Sequence, residues 1–156
     1  MCGITGIVNS SSEKNVNPAD LTIMLDSIDH RGPDQQGFFF NSNVGLGHKR
    51  LSIIDLSHGN QPMHNSNKSI YIIFNGEIYN FREIRKECEA LGYVFRTQCD
   101  TEVIIAAYEL FGYKCLDKFN GMFAFAIYDL KKNLFFLARD RLGKKPLYFY
   151  KSDSVF

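Results

Sequence analysis

The sequence carries no surplus of charge. Lys and Arg number 18 against 17 Asp and Glu, a formal net charge of +1, so no strong field gathers polyphosphate or an anionic lipid surface. Neither nucleic acid nor a membrane is an expected partner. Long apolar runs are missing too. Stretches such as Ile70 to Phe74 and Met122 to Tyr128 fall far below the roughly 20 residues that cross a bilayer, which excludes a membrane-spanning helix. The cysteines stand at positions 2, 88, 99 and 115 without C-x-x-C spacing, and no basic stretch with a following apolar segment opens the chain. That pattern points to reduced thiols in the cytoplasm, and it gives no reason to expect a metal site from Cys88, Cys99, Cys115 and the histidines. Repeats, low-complexity tracts and Pro/Ser linkers are absent as well, so residues 1–156 read as one domain without an internal boundary.

What is present suffices for a buried core: 156 residues, 45% hydrophobic and 14% aromatic. Gly3 and Gly6 interrupt an extended apolar run from Cys2 to Val8, read as a strand with close backbone approach. Asn17 and Pro18 form a helix start ahead of the stripe Leu21, Met24, Leu25 and Ile28, with an end near His30. Phe38 to Phe40 and Val44 to Leu46 flank Asn41-Ser42-Asn43 as the arms of a hairpin, and Ile70 to Phe74 reads as a strand covered on both faces, followed by a turn. Asn80 with Glu83 resembles a capping pair for a helix whose face is Phe81, Ile84, Cys88 and Leu91. Asp100 or Thr101 caps the next helix, with Val103, Ile104, Ala107 and Tyr108 as its stripe and Gly112 as its end. Met122 to Tyr128 and Leu134 to Ala138 are two more strands, with a further apolar segment at Pro146 to Tyr150. Strands covered on both sides and helices with one apolar face imply two packed sheets with outer helices. The end at Ser154-Val155-Phe156 suggests a longer parent protein, and a sandwich cut there would leave an unpaired edge.

Cys2 is the residue of greatest chemical interest. Removal of Met1 would leave it with a free α-amine, a group that titrates near 7.7 to 8.0 rather than near 10.4 like a lysine, and so a base placed beside a thiol nucleophile. Position two alone favours an incidental cysteine.

The surrounding residues weigh against incidence. Met1-Cys2-Gly3-Ile4-Thr5-Gly6-Ile7-Val8, His30-Arg31-Gly32-Pro33-Asp34, Gly47-His48-Lys49-Arg50-Leu51-Ser52-Ile53-Ile54-Asp55 and Gln61-Pro62 resemble successive signatures of class II glutamine amidotransferases. Phe74-Asn75-Gly76-Glu77-Ile78-Tyr79-Asn80, Asp100-Thr101-Glu102-Val103-Ile104, Asn120-Gly121-Met122-Phe123-Ala124-Phe125 and Arg139-Asp140-Arg141-Leu142-Gly143-Lys144-Lys145-Pro146-Leu147-Tyr148 continue the series in order. The resemblance covers nearly the whole chain and is strongest to the glutaminase domain of glutamine-hydrolysing asparagine synthetase.

That resemblance implies a four-layer αββα sandwich of the N-terminal-nucleophile hydrolase type, truncated at its C-terminal side. It implies that Cys2 attacks the glutamine side-chain amide to give a thioester and ammonia, with its own α-amine shuttling the proton. Asn75 and the Gly76 N–H would stabilise the oxyanion, Arg50 would hold the substrate carboxylate, Glu77 and Asp100 its ammonium, and the main chain at Ile53 would line the pocket. Read without the resemblance, Asn75-Gly76 is a hairpin turn, Asp100 a helix cap and Arg50 a surface arginine. No metal or organic cofactor is implied for the glutaminase half-reaction. ATP and Mg are implied for an ammonia-using synthetase domain, whose Ser-Gly-Gly-x-Asp-Ser type loop this chain lacks. Partners implied are L-glutamine and that C-terminal domain, with room for a homodimer. Rival readings are a glutaminase serving a sugar-phosphate, phosphoribosyl or polysaccharide acceptor, and a glutamine-binding module with decayed catalysis. The chain departs from the family's usual pattern at Gln98-Cys99, where Gly-Ser is common, and at Lys144, where Ile is common. Arg139 and Asp140 read as a structural ion pair, His30, His48, His58 and His64 lack a catalytic spacing, and Cys88 and Cys115 read as core.

Overall fold

The computed structural model describes residues 2–51 and 59–156. Two antiparallel sheets face each other with helices outside. The first sheet contains β1 (Gly3–Val8), β2 (Gln35–Asn41) and β3 (Val44–Arg50) in the order β1-β3-β2. Its outer face carries α1 (Pro18–Ser27), capped by the Asn17 side chain accepting from the Ala19 N–H. Leu21 and Leu25 of α1 are buried, whereas Met24, expected on the same stripe, is exposed. The helix lies flush because β3 presents glycine beneath it: a Cβ at Gly47 would stand 2.6 Å from Leu25 Cδ1.

The second sheet contains β4 (Met63–His64), β5 (Ile70–Ile78), β6 (Gly121–Asp129) and β7 (Leu134–Arg139) in that order. Its outer face is covered by α2 (Phe81–Ala90) and α3 (Asp100–Phe111), with the short α4 (Cys115–Lys118) following. Ile72, Phe74 and Ile78 of β5 join Val103, Ile104 and Phe125 in that core, while Tyr71 and Ile73, on the alternate face, pack between the sheets against Val44, Leu46, Ala126 and Tyr128. The layers are thus helix, sheet, sheet, helix.

Several expectations are corrected. Asn75-Gly76 is no turn: β5 runs through it, with Asn75 opposite Ala124 and Gly76 opposite Phe123. A side chain at Gly76 would press into the Met122 carbonyl, so glycine here serves close approach inside a ladder. Asn80 makes no side-chain cap on α2, because its amide donates to the Lys118 carbonyl and its Oδ1 accepts from the Asn120 N–H. Leu91, at the end of the supposed face, is exposed. Helix α3 has no single apolar stripe, since Thr101 to Tyr108 are all buried between sheet and helices. The apolar segment Pro146 to Tyr150 adds little to the core, since Tyr148, Phe149 and Tyr150 are exposed. Arg139 and Asp140 do not pair with each other. Arg139 donates to the Lys145 and Gly143 carbonyls, and Asp140 accepts from the N–H groups of Phe123, Leu142, Lys144 and Lys145, so the two side chains fold one backbone turn.

Candidate active site

Gly3 of β1 pairs with Lys49 of β3, so the preceding residue, Cys2, lies beside the end of β3. Its Sγ is partly buried, 3.5 Å from the Leu51 N–H nitrogen and 3.7 Å from the Leu51 carbonyl oxygen. Val44 and Leu46 face the second sheet, and the two-residue period of a strand sends His48 and Arg50 to that same face. Arg50 is buried and its Nη1 donates to Asn60 Oδ1 at 3.0 Å and to Gln35 Oε1 at 3.4 Å. It is a cation held in place by the protein, not an ordinary surface arginine.

From the second sheet, Asn75 and Glu77 share the inter-sheet face of β5 with Tyr71 and Ile73. The even-numbered residues of β5 direct their backbone polar groups toward β4, as the Asn65 N–H to Ile70 carbonyl bond and the Met63–Ile72 pairing show. Strand β4 starts only at Met63, after Pro62, which has no N–H to offer. The next even positions, Phe74, Gly76 and Ile78, therefore lie on an edge with no strand partner among the described residues. The Phe74 N–H is taken by Gln61 Oε1 at 2.6 Å and the Ile78 N–H by Asp100 Oδ2 at 3.0 Å. Between them, the alternation of the strand puts the Gly76 N–H on the same edge, and Gly76 lines the cleft described below.

Asp100 is the first residue of α3, not its cap; Cys99 occupies the cap position and Asp100 spends its carboxylate on β5. Burial, assisted by the nearby Glu77 charge, lifts its pKa to about 6 against the pull of the Ile78 N–H. Burial drives His48 the other way, to about 4, so its imidazole is neutral. Burial also pushes the Cys88 thiol to about 11 and the Cys115 thiol to about 12, while Cys99 is raised by burial as well. Those thiols are packed in the core, Cys99 at the point where the core meets the cleft that Cys2 lines.

Cys2, Arg50, Asn75, Gly76, Glu77 and Asp100 line one cleft of about 130 Å³ between the two sheets. Ile53 and His58 lie outside the described residues. The sequence reading did not anticipate that Thr101, Met122 and the buried Lys145 line the same cleft, or that Gln61 and His48 brace its β5 wall. The signal available was slight: His48 stands two residues from Arg50, the spacing of one strand face. A larger apolar cavity of about 500 Å³ between β1 and β7 shares no lining residue with this cleft. Chemically, the smaller cleft unites a thiol, an amide and a backbone N–H able to donate to an oxyanion, two carboxylates and a guanidinium. That set suits acyl transfer on a zwitterionic amino acid.

Comparison with known proteins places this geometry. A family model described as a glutamine amidotransferase domain matches residues 1–156. The chain is 44% identical over 151 residues to "Asparagine synthetase [glutamine-hydrolyzing] 1" of Bacillus subtilis, covering 96% of this chain and 24% of that protein. It is 43% identical over 175 residues to "Putative asparagine synthetase [glutamine-hydrolyzing] 2" of Methanocaldococcus jannaschii, covering 100% of this chain and 33% of that protein. The chain thus spans a quarter to a third of the length of these relatives. Among solved structures, the glutamine phosphoribosylpyrophosphate amidotransferase from B. subtilis superposes with a TM-score of 0.77 over 97% of this chain and 40% of its own, at 21% identity. That likeness is one of fold. Among the described residues, no helix is long and apolar enough to cross a membrane.

Proposed function

The chain belongs to the glutamine amidotransferase domain family, and from that membership we propose that its cleft hydrolyses L-glutamine to L-glutamate and ammonia through a thioester on Cys2. The Cys2 sulfur bonds to the side-chain carbonyl carbon, the thiol proton passes to the α-amine freed by loss of Met1, and that amine protonates the departing ammonia. Water then adds to the thioester, returning the thiol and releasing glutamate. Each addition creates an oxyanion, toward which the Asn75 side-chain amide and the Gly76 N–H donate. Removal of one such donor typically lowers kcat by about 10²–10³. Arg50 holds the substrate carboxylate, Glu77 and Asp100 its ammonium, and the backbone at Ile53 completes the pocket. The observation that carries this reading is the place of Gly76, which lines the Cys2 cleft with its N–H on the β5 edge between two neighbours whose own N–H groups are occupied by Gln61 and Asp100.

The similarity to asparagine synthetases supports a destination for the ammonia: a separate synthetase domain, using ATP and Mg, that amidates aspartate. This half-reaction itself uses no cofactor on our reading, and four free thiols suit a reducing cytoplasm. The test is release of ammonia from L-glutamine by the purified protein and by Cys2→Ala. Activity in the parent and none in Cys2→Ala, with the fold retained, is the expected result; an active Cys2→Ala variant would overturn the assignment.

A further inference from the structure

The wall that presents Asn75 and Gly76 is a strand edge that has no strand partner among the described residues. On that side of β5, β4 begins only at Met63, yet a free edge would leave Phe74, the residue immediately before Asn75, with an unpaired N–H and C=O in a buried place. Two side chains from outside β5 take over what a strand would supply. Gln61 stands where the β4 register would put a partner for Phe74, and its side-chain Oε1 accepts the Phe74 N–H at 2.6 Å. His48, from the first sheet, reaches across the sandwich with Nε2 3.2 Å from the Phe74 carbonyl oxygen. A carbonyl only accepts, so Nε2 carries the proton and donates it. His48 is 1% exposed, and the Gln61 Nε2 is in turn held by Thr101 Oγ1 at 3.4 Å.

We infer that His48 and Gln61 are positioning residues for glutamine hydrolysis, which hold the C=O and N–H of Phe74, in the two peptide groups that flank its Cα, and so aim the Asn75 amide and the Gly76 N–H at the oxyanion. This rests on the proposed glutaminase reading and adds to it two residues that need not touch substrate to act. The physical need is specific. Oxyanion donors act only if they are held on the developing charge without reorganising, and the position of Gly76 N–H depends on the peptide two residues earlier. His48 also joins the sheet that carries Cys2 to the sheet that carries the donors, so its hydrogen bond adds a directional tie to the inter-sheet packing that separates nucleophile and oxyanion hole. A clamp of this kind acts on kcat, because the oxyanion exists only after attack; it leaves the carboxylate and ammonium contacts of glutamine in place.

The experiment uses the full-length protein and the variants His48→Phe, His48→Gln and Gln61→Met. Kinetics of glutamine hydrolysis, alkylation of Cys2 by iodoacetamide and affinity for an aldehyde analogue of glutamine are measured for each. The aldehyde forms a tetrahedral adduct with the thiol and reports the oxyanion donors directly. His48→Phe and Gln61→Met are expected to lower kcat by about 10-fold or more and to weaken the aldehyde in parallel, with KM and alkylation within about threefold of the parent. His48→Gln, which restores a donor, is expected to recover part of the loss. Because both side chains hold the backbone of one residue, Phe74, the double variant should lose little more than the worse single one. Unchanged kcat in both single variants overturns the inference, as does a loss confined to KM or one shared equally by alkylation. Should His48→Phe fail to fold, Gln61→Met alone decides by the same criteria. A parent protein that releases no ammonia defeats the glutaminase reading instead, which keeps the two failures apart.

Discussion

Asp100 shows how one side chain is loaded with opposed demands. Its carboxylate accepts the Ile78 N–H, which favours ionisation, but burial and the Glu77 charge outweigh that and lift its pKa from the ordinary 3.8 to about 6. An acid that holds its proton more tightly folded than unfolded makes the protein less stable as pH rises from 3.8 toward 6, and the loss is complete above that window. Asp100→Asn removes the buried charge and keeps an acceptor for Ile78, so its melting temperature should exceed that of the parent at neutral pH and converge with it below pH 4. In the same variant KM for glutamine should rise, since the substrate ammonium loses a charged partner. In the parent, kcat/KM should fall as pH drops through about 6 and Asp100 takes up its proton. Thermal melts and kinetics across pH check both; a less stable Asp100→Asn at neutral pH would contradict the charge argument. The identity of this residue was legible in the Asp100-Thr101-Glu102-Val103-Ile104 motif, but its work was not. Sequence spacing suggested a helix cap, and only the approach of α3 to the β5 edge sends the carboxylate to Ile78 instead.

At the scale of elements, β5 brings Asn75, Gly76 and Glu77 to the cleft because it stays a strand where its residues suggest a turn. Asn-Gly is a strong hairpin signal in isolation, yet Asn75 and Gly76 pair with Ala124 and Phe123, and nine residues from Ile70 to Ile78 remain continuous. The long apolar partner β6 outweighs the local preference. Gly76→Ala should therefore fail in two ways at once, lowering the melting temperature because its Cβ meets the Met122 carbonyl and abolishing hydrolysis because the donor N–H moves. Asn75→Ala makes the contrast: a melting temperature near the parent's, kcat lower by about 10²–10³, and Cys2 still open to alkylation. Equal loss of stability in both variants would show that Asn75 is structural. Most strands and helices were legible from apolar runs and periodicity. The errors have one cause, since Asn80, Leu91 and the face of α3 depend on which distant elements pack there. Asn80 turns to Lys118 and Asn120, and α3 is enclosed on all sides, so neither followed from its own segment.

Taken whole, the molecule places the proposed nucleophile and the proposed oxyanion donors in different sheets. Cys2 precedes β1 in the first sheet, while Asn75 and Gly76 belong to β5 in the second. What fixes their separation is the inter-sheet core of Val44, Leu46, Ile73, Ala126 and Tyr128, with Phe39 stacked on Tyr71 at 3.8 Å between ring centres. Packing in the outer layer has no such leverage, although it contributes as much to stability. Leu25, 0% exposed, fastens α1 to the far side of the first sheet; Ile73, 1% exposed, lies between the sheets on the same β5 face as Asn75. Leu25→Ala and Ile73→Ala should each cost about 2–5 kcal/mol of stability, the range for deleting a large buried aliphatic side chain. Their effects on catalysis should separate. At a temperature where both variants are folded, Leu25→Ala should keep the parent's kcat per folded molecule, whereas Ile73→Ala should lose several-fold, because relaxation around its cavity lets one sheet shift against the other. Denaturant titration gives the first quantity and ammonia release at matched folded concentration the second. If both variants lose kcat to the same degree, activity tracks global stability and the inter-sheet core has no special hold on the site.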